Sequence, residues 1–142
     1  MSLPSRINLV TLGVANVATS TAFYERLGWT KSPVSNDDVT FFYSEGTVLG
    51  LFGRASLADD ANVNDLELGY SAVALAQNFA SEAEVDEAYR HALACGAEPR
   101  KSPQKVFWGG YSGYFADPDG HLWELAHNPF ISLDERGHMC LP

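Results

Sequence analysis

One carboxylate, Glu124, stands between Trp123 and Leu125 in the stretch Gly113 to Phe130, GYFADPDGHLWELAHNPF. A single acid in so apolar a run has three readings. It is a general base that moves a proton, or an acceptor for a ligand's amine or hydroxyl, or a structural carboxylate bonded to Thr11, a tyrosine or water. His121 and His127 lie three residues to either side, a tempting metal set. Strand side chains alternate faces, however, so the two histidines point one way and Glu124 the other. His91 belongs to the polar face of a predicted helix and His138 to the C-terminal segment, and neither completes a set. Cys95 and Cys140 are far apart and form no metal motif, so they read as unpaired thiols. Phe107 to Tyr114, FWGGYSGY, joins bulky rings to glycines. Trp108 and Tyr111 either stack on a flat ligand or pack against the protein itself.

Positioning these residues takes strands, helices and turns that the sequence marks. Ile7 to Val14 reads as a strand. Asn16 caps a helix over Val17 to Leu27, which Gly28 ends. Trp29 to Pro33 reads as a short strand. Asp37 to Tyr43 and Thr47 to Phe52 are strands joined at Ser44-Glu45-Gly46. Arg54 to Glu67 is polar and without periodicity, which predicts a loop. The pattern then restarts. Tyr70 to Gln77 is a strand, and Ser81 with Glu84 is a capping box. The helix that follows places Val85, Ala88, Tyr89, Ala92 and Leu93 on one stripe. Gly96 ends it, and Pro99 to Val106 is a weak strand. Tyr111 to Ala116 and His121 to His127 form a hairpin around Asp117-Pro118-Asp119-Gly120.

The result is an α+β chain of two β-α-β-β-β modules, about 6–53 and 69–130, in one domain over 1–142, with a linker at 54–68 and a tail at 131–142. Neither half buries its helix and sheet well alone. Packed together, the modules would make a curved eight-stranded mixed sheet with a cleft, whose rim Gln77, Asn78 and Asn128 could line. The tail reads as a small hairpin or an arm over the body or a dimer partner.

Composition narrows the partners. The chain has 142 residues, 46% of them hydrophobic, and a net charge of −9. Its nine Lys and Arg show no basic stripe, so nucleic acid and anionic membrane are poor partners. No apolar run reaches the ~20 residues of a membrane span, and no leader opens the sequence. The expectation is a cytoplasmic protein.

The paired modules resemble the vicinal oxygen chelate superfamily of glyoxalase I, extradiol dioxygenases and bleomycin-resistance proteins. LVTLGVANVATSTAFYERLGW is similar to its opening strand and helix, and GYFADPDGHLWEL to its closing hairpin. The longer stretch KVFWGGYSGYFADPDGHLWELAHNPF resembles a glyoxalase-like subgroup. The resemblance implies a divalent metal in the cleft, with one ligand from the first and one from the last strand of each module. Setting Gly46 against Gly120 puts Gly50 opposite Glu124. Aligning LVTLGVAN with AVALAQNF puts Leu9 opposite Ala72. Of these four residues only Glu124 has a ligating side-chain atom, so no metal ligand set and no cofactor is assigned.

The functional expectation is therefore metal-independent binding of a small apolar or aromatic molecule in the cleft of a homodimer. Glu124 is the candidate catalytic residue, and Leu9, Thr11, Phe52, Trp108, Tyr111 and Glu124 are the candidate ligand contacts. The alternatives are a metal-dependent or Glu124-dependent lyase, isomerase or dioxygenase, and a non-catalytic dimeric interaction module.

Overall fold

Asn16 shows how the sequence starts the first helix. Its side chain accepts the Thr19 N–H at 2.9 Å while its backbone stays extended. That cap separates β1 (Leu9–Val14) from α1 (Val17–Leu27), and Gly28 closes the helix at φ 114°, a left-handed conformation that costs glycine little. β2 (Val39–Tyr43) and β3 (Val48–Gly53) follow, giving a mixed sheet of order β1-β3-β2. One face of this sheet, with Leu12, Val14, Phe42, Leu49 and Leu51, is buried, and so are Phe23 and Tyr24 of α1. Tyr24 stands edge-on to Phe23 and Trp29. Burial of each large side chain contributes about 1.5–3 kcal/mol. The Thr21 and Thr40 hydroxyls satisfy each other at 2.7 Å inside this layer.

The computed structural model describes residues 5–62, 64, 71 and 73–141. The chain divides into two units, Met1–Ser71 and Ala72–Pro142. In the second, β4 (Ala74–Asn78), α3 (Glu82–Ala94), β5 (Glu98–Lys105), β6 (Tyr111–Ala116) and β7 (Leu122–His127) give a four-stranded mixed sheet of order β4-β7-β6-β5. Val85, Tyr89 and Ala92 of α3 are buried against its β6 and β7 side, where Phe115 stacks on Trp123. Leu93, predicted to lie on the same stripe, is 36% exposed. Ser81 accepts the Glu84 N–H at 3.2 Å, but the Glu84 carboxylate reaches Ala80 N–H rather than that of Ser81.

The α+β class holds, and three details differ from expectation. The described residues form seven strands in two sheets rather than eight in one. The missing strand is Trp29 to Pro33, reduced to one bridge between Lys31 and Phe42. Pro33 has no N–H to donate, and the Ser35 hydroxyl takes the Phe41 N–H at 2.9 Å, so the ladder stops there. The predicted loop at 54–67 opens with a helix, α2 (Arg54–Ala61), ended by Asn62 at φ 57°. RASLADDA has good helix formers but buries only Ala58, so it has propensity without an apolar stripe. The strand expected from Tyr70 begins at Ala74; Tyr70 and Ala72 lie outside the described residues.

β5 is irregular. It carries Pro99 and Pro103, and its pairing with β6 slips on both sides of Lys101. Its backbone passes so close to Gly113 that a β-carbon there would lie 2.8 Å from Lys101 O and Pro103 N. Only glycine fits that position. In the tail, Leu133 bridges Met139, and Asp134 accepts the backbone N–H groups of Arg136 and His138.

Candidate functional site

The face of the second sheet opposite α3 holds Glu124. In register, Glu124 stands between Ala76 of β4 and Tyr114 of β6, so the three share a face. Leu122 and Ala126 continue that face along β7, while Trp123 and Leu125 point to the α3 side and are buried. Glu124 itself is half-buried, and among the described residues no hydrogen bond or ion pair reaches its carboxylate. Tyr114, which sequence reasoning did not single out, is its cross-strand neighbour. Side chains paired this way sit about 4.5–5.5 Å apart at Cβ. The hairpin spacing around Asp117 to Gly120 was the signal that would have paired them.

Asp117 fixes that hairpin. It is 1% exposed, and its Oδ1 accepts the N–H groups of Asp119 and His121, both at 2.9 Å. Gly120 follows at φ 87°, which leads the chain into β7.

Trp108 and Tyr111 separate. Tyr111 begins β6 on the α3 side and donates its hydroxyl to Asp86 Oδ1 at 2.7 Å. That bond holds the Tyr111 proton and raises its pKa above the usual 10, with burial and the charges of Asp86 and Glu82 adding to it. Tyr111 thus faces away from Glu124. Trp108 lies in the turn before β6 with its indole against Gly110, where any β-carbon would collide with the ring. Gly110 immediately precedes β6, and continuing the strand's alternation back to it would place this ring contact on the side of Ser112 and Tyr114, toward the face that carries Glu124. The neighbouring Gly109, at φ 94°, packs under the Phe130 ring, 2.7 Å from where a β-carbon would sit.

In the first unit, Leu9, Thr11 and Phe52 come together on the sheet face opposite α1. Leu9 pairs with Val48, Thr11 with Gly50 and Gly13 with Phe52. Leu9 is 45% exposed, and Thr11 and Phe52 are half-buried. α2 lies over one end of this face: a β-carbon on Gly13 would come within 3.3 Å of Arg54 and Leu57 side-chain carbons.

Register also tests the implied metal positions. Gly50 and Glu124 are each the third residue of their strand, after Gly46 and Gly120, which both have positive φ. Opposite them stand Thr11 and Ala76. Leu9 therefore corresponds to Ala74, two residues from the sequence alignment with Ala72. The caps Asn16 and Ser81 give the same spacing. Leu9 and Ala74 have no donor, and neither has Gly50. The space a side chain at Gly50 would use is lined by Leu9 Cδ1 at 3.3 Å and the Phe41 ring at 3.6 Å. These residues do not fit a protein-held divalent ion, which needs several oxygen or nitrogen donors. His127 gives no help, because it lies on the α3 side with Nδ1 3.0 Å from Phe79 O. Among the described residues no three His, Cys, Asp or Glu side chains gather as a metal group. No described helix is long and apolar enough to cross a membrane, and neither Cys95 nor Cys140 is in a disulfide.

Comparison with known proteins agrees with this frame. Residues 6–125 match the family model of the Glyoxalase/Bleomycin resistance protein/Dioxygenase superfamily. The chain is 31% identical over 121 residues to a metallothiol transferase FosB of Shouchella clausii, covering 84% of this chain and 77% of that one. A glyoxalase-related enzyme from Fulvimarina pelagi superposes with a TM-score of 0.86 at 30% identity, covering 97% of this chain and 99% of that one. A glyoxalase/bleomycin resistance protein/dioxygenase from Nocardioides gives 0.75 at 28% identity, over 89% and 85% of the two chains.

Proposed function

The chain belongs to the Glyoxalase/Bleomycin resistance protein/Dioxygenase superfamily, and from that premise we propose that it binds a small molecule without a protein-held metal ion. The observation that carries this is Glu124: a half-buried acid in mid-sheet with no hydrogen-bonding partner among the described residues. Its partner is a donor on the ligand, an amine or a hydroxyl. The rest of the ligand is apolar or aromatic and meets Trp108, which is partly exposed in the same unit. Tyr111, tied to Asp86, is not a contact in this reading. The protein works as a cytoplasmic homodimer.

A second reading is supported by the enzyme names of the relatives and by the Tyr114–Glu124 pair. A carboxylate beside a phenol is a base beside a proton donor, suited to a metal-free lyase or isomerase. Any ion in such a site would rest on Glu124 alone and be held weakly.

Metal analysis and ligand titration test the proposal together. Protein purified without chelator should carry far less than one divalent ion per chain. Glu124→Gln should weaken binding of 1-naphthylmethylamine about tenfold and leave the amine-free 1-methylnaphthalene unchanged, because one charge-assisted contact is worth about 1.5–3 kcal/mol. Stoichiometric metal that is lost in Glu124→Gln would overturn it.

A further inference from the structure

Both strands that flank the aromatic turn are tied to one face of α3. Glu82 and Asp86 are four apart on that helix, hence on the same side. Glu82 meets Lys105, the last residue of β5, at 3.7 Å, and Asp86 accepts the hydroxyl of Tyr111, the first residue of β6, at 2.7 Å. Between these ties runs the turn Val106 to Gly110, closed by Val106 N–H to Gly110 O and Gly109 N–H to Val106 O, both at 3.0 Å. The turn then lays the Trp108 indole against Gly110, and Trp108 remains 37% exposed. A large ring held in place at its base and left partly bare is a ready stacking surface.

We infer that Asp86 and Tyr111 are positioning residues, which act from the α3 side of the sheet to hold Trp108 flat at the end of the Glu124 face. The inference rests on the ligand reading above and deepens it: the ligand is a flat ring that stacks on Trp108 and carries its donor toward Glu124. The two ties are unequal. The Lys105–Glu82 pair is exposed and contributes little, whereas the Tyr111–Asp86 bond is short and directional, and it fixes the residue next to Gly110.

The test uses full-length protein labelled with 5-fluorotryptophan, whose Trp108 signal is assigned with Trp108→Phe. In Asp86→Ala and Tyr111→Phe the Trp108 fluorine resonance should move toward its solvent-exposed value. In Asp86→Asn, which keeps an acceptor oxygen, it should stay. The dissociation constant of 1-naphthylmethylamine should follow, rising about three- to tenfold in Asp86→Ala and less than about twofold in Asp86→Asn, the range that one aromatic stacking contact spans. A Trp108 resonance that does not move in Asp86→Ala, or that moves equally in Asp86→Asn, would overturn the inference. A resonance that moves as expected while wild-type protein fails to bind the amine would leave the clamp standing and remove the ligand reading.

Discussion

Thr11 opposite Gly50 and Ala76 opposite Glu124 occupy the same places in two copies of one frame. Each unit begins with a strand, caps its helix with a short polar side chain, and turns into its last strand after a glycine of positive φ. The polar groups are distributed the other way round. The first unit has its hydroxyl on the first strand and nothing on the last; the second has an alanine on the first and an acid on the last. The turn before the last strand differs too. Asp117 braces it in the second unit, while the equivalent residue in the first is Tyr43, 60% exposed. The frame depends on caps, glycines and apolar stripes, and each of these serves the fold. The positions on the other face are free of that duty, so one copy carries an acid where the other carries a glycine.

The sharpest way to break this comparison is to move the acid. Gly50→Glu would start a side chain 3.3 Å from Leu9 Cδ1 and in contact with the Phe41 ring, putting a carboxylate at a buried apolar position, and should cost about 3 kcal/mol in urea unfolding. A loss below about 1 kcal/mol would show that the first face is as open as the second. Asp117→Ala comes next. It strips two backbone N–H groups of their acceptor and should cost about 2 kcal/mol, whereas Tyr43→Ala should cost less than half of that.

The smallest effect is one of pH and belongs to the second unit alone. Tyr111 has its folded pKa raised, first by the hydrogen bond to Asp86. A raised pKa means that the bond's contribution is complete below the unfolded value near 10 and is lost as pH climbs through the folded value. Absorbance titration at about 295 nm should show a tyrosine that ionises late in the wild type and near 10 in Asp86→Ala. Identical titrations would remove the clamp from the comparison.

Much of this frame was legible in sequence because its signals are local. Asn16, Gly28, Ser81 and the Asp117–Gly120 turn each act within a few residues of themselves, and each does what its chemistry predicts. α2 was illegible because eight residues that bury only Ala58 leave no stripe to read. The two-residue offset between Leu9 and Ala74 was hidden because a shift of two keeps the same face, so no polarity pattern objects to it. Tyr111 is different, since counting outward from the hairpin turn pairs Tyr114 with Glu124 and sends Tyr111 to the other side. That information was present in the alternation of the strands. Sequence alone offered no sign that Asp86 would meet it, because the contact joins residues 25 apart.

β5 carries a consequence for behaviour in a crowded solution. It is the outer strand of its sheet, and an outer strand offers unpaired backbone groups to any passing chain. Pro99 and Pro103 remove two of its donors, the slips around Lys101 break its regular spacing, and Arg100, Lys101 and Lys105 make like copies repel. The ring of Phe107, entirely bare just beyond this strand, would otherwise be an invitation to fibril growth. The irregular strand makes a poor template beside that ring, so replacing both prolines with threonine should raise light scattering as protein concentration rises.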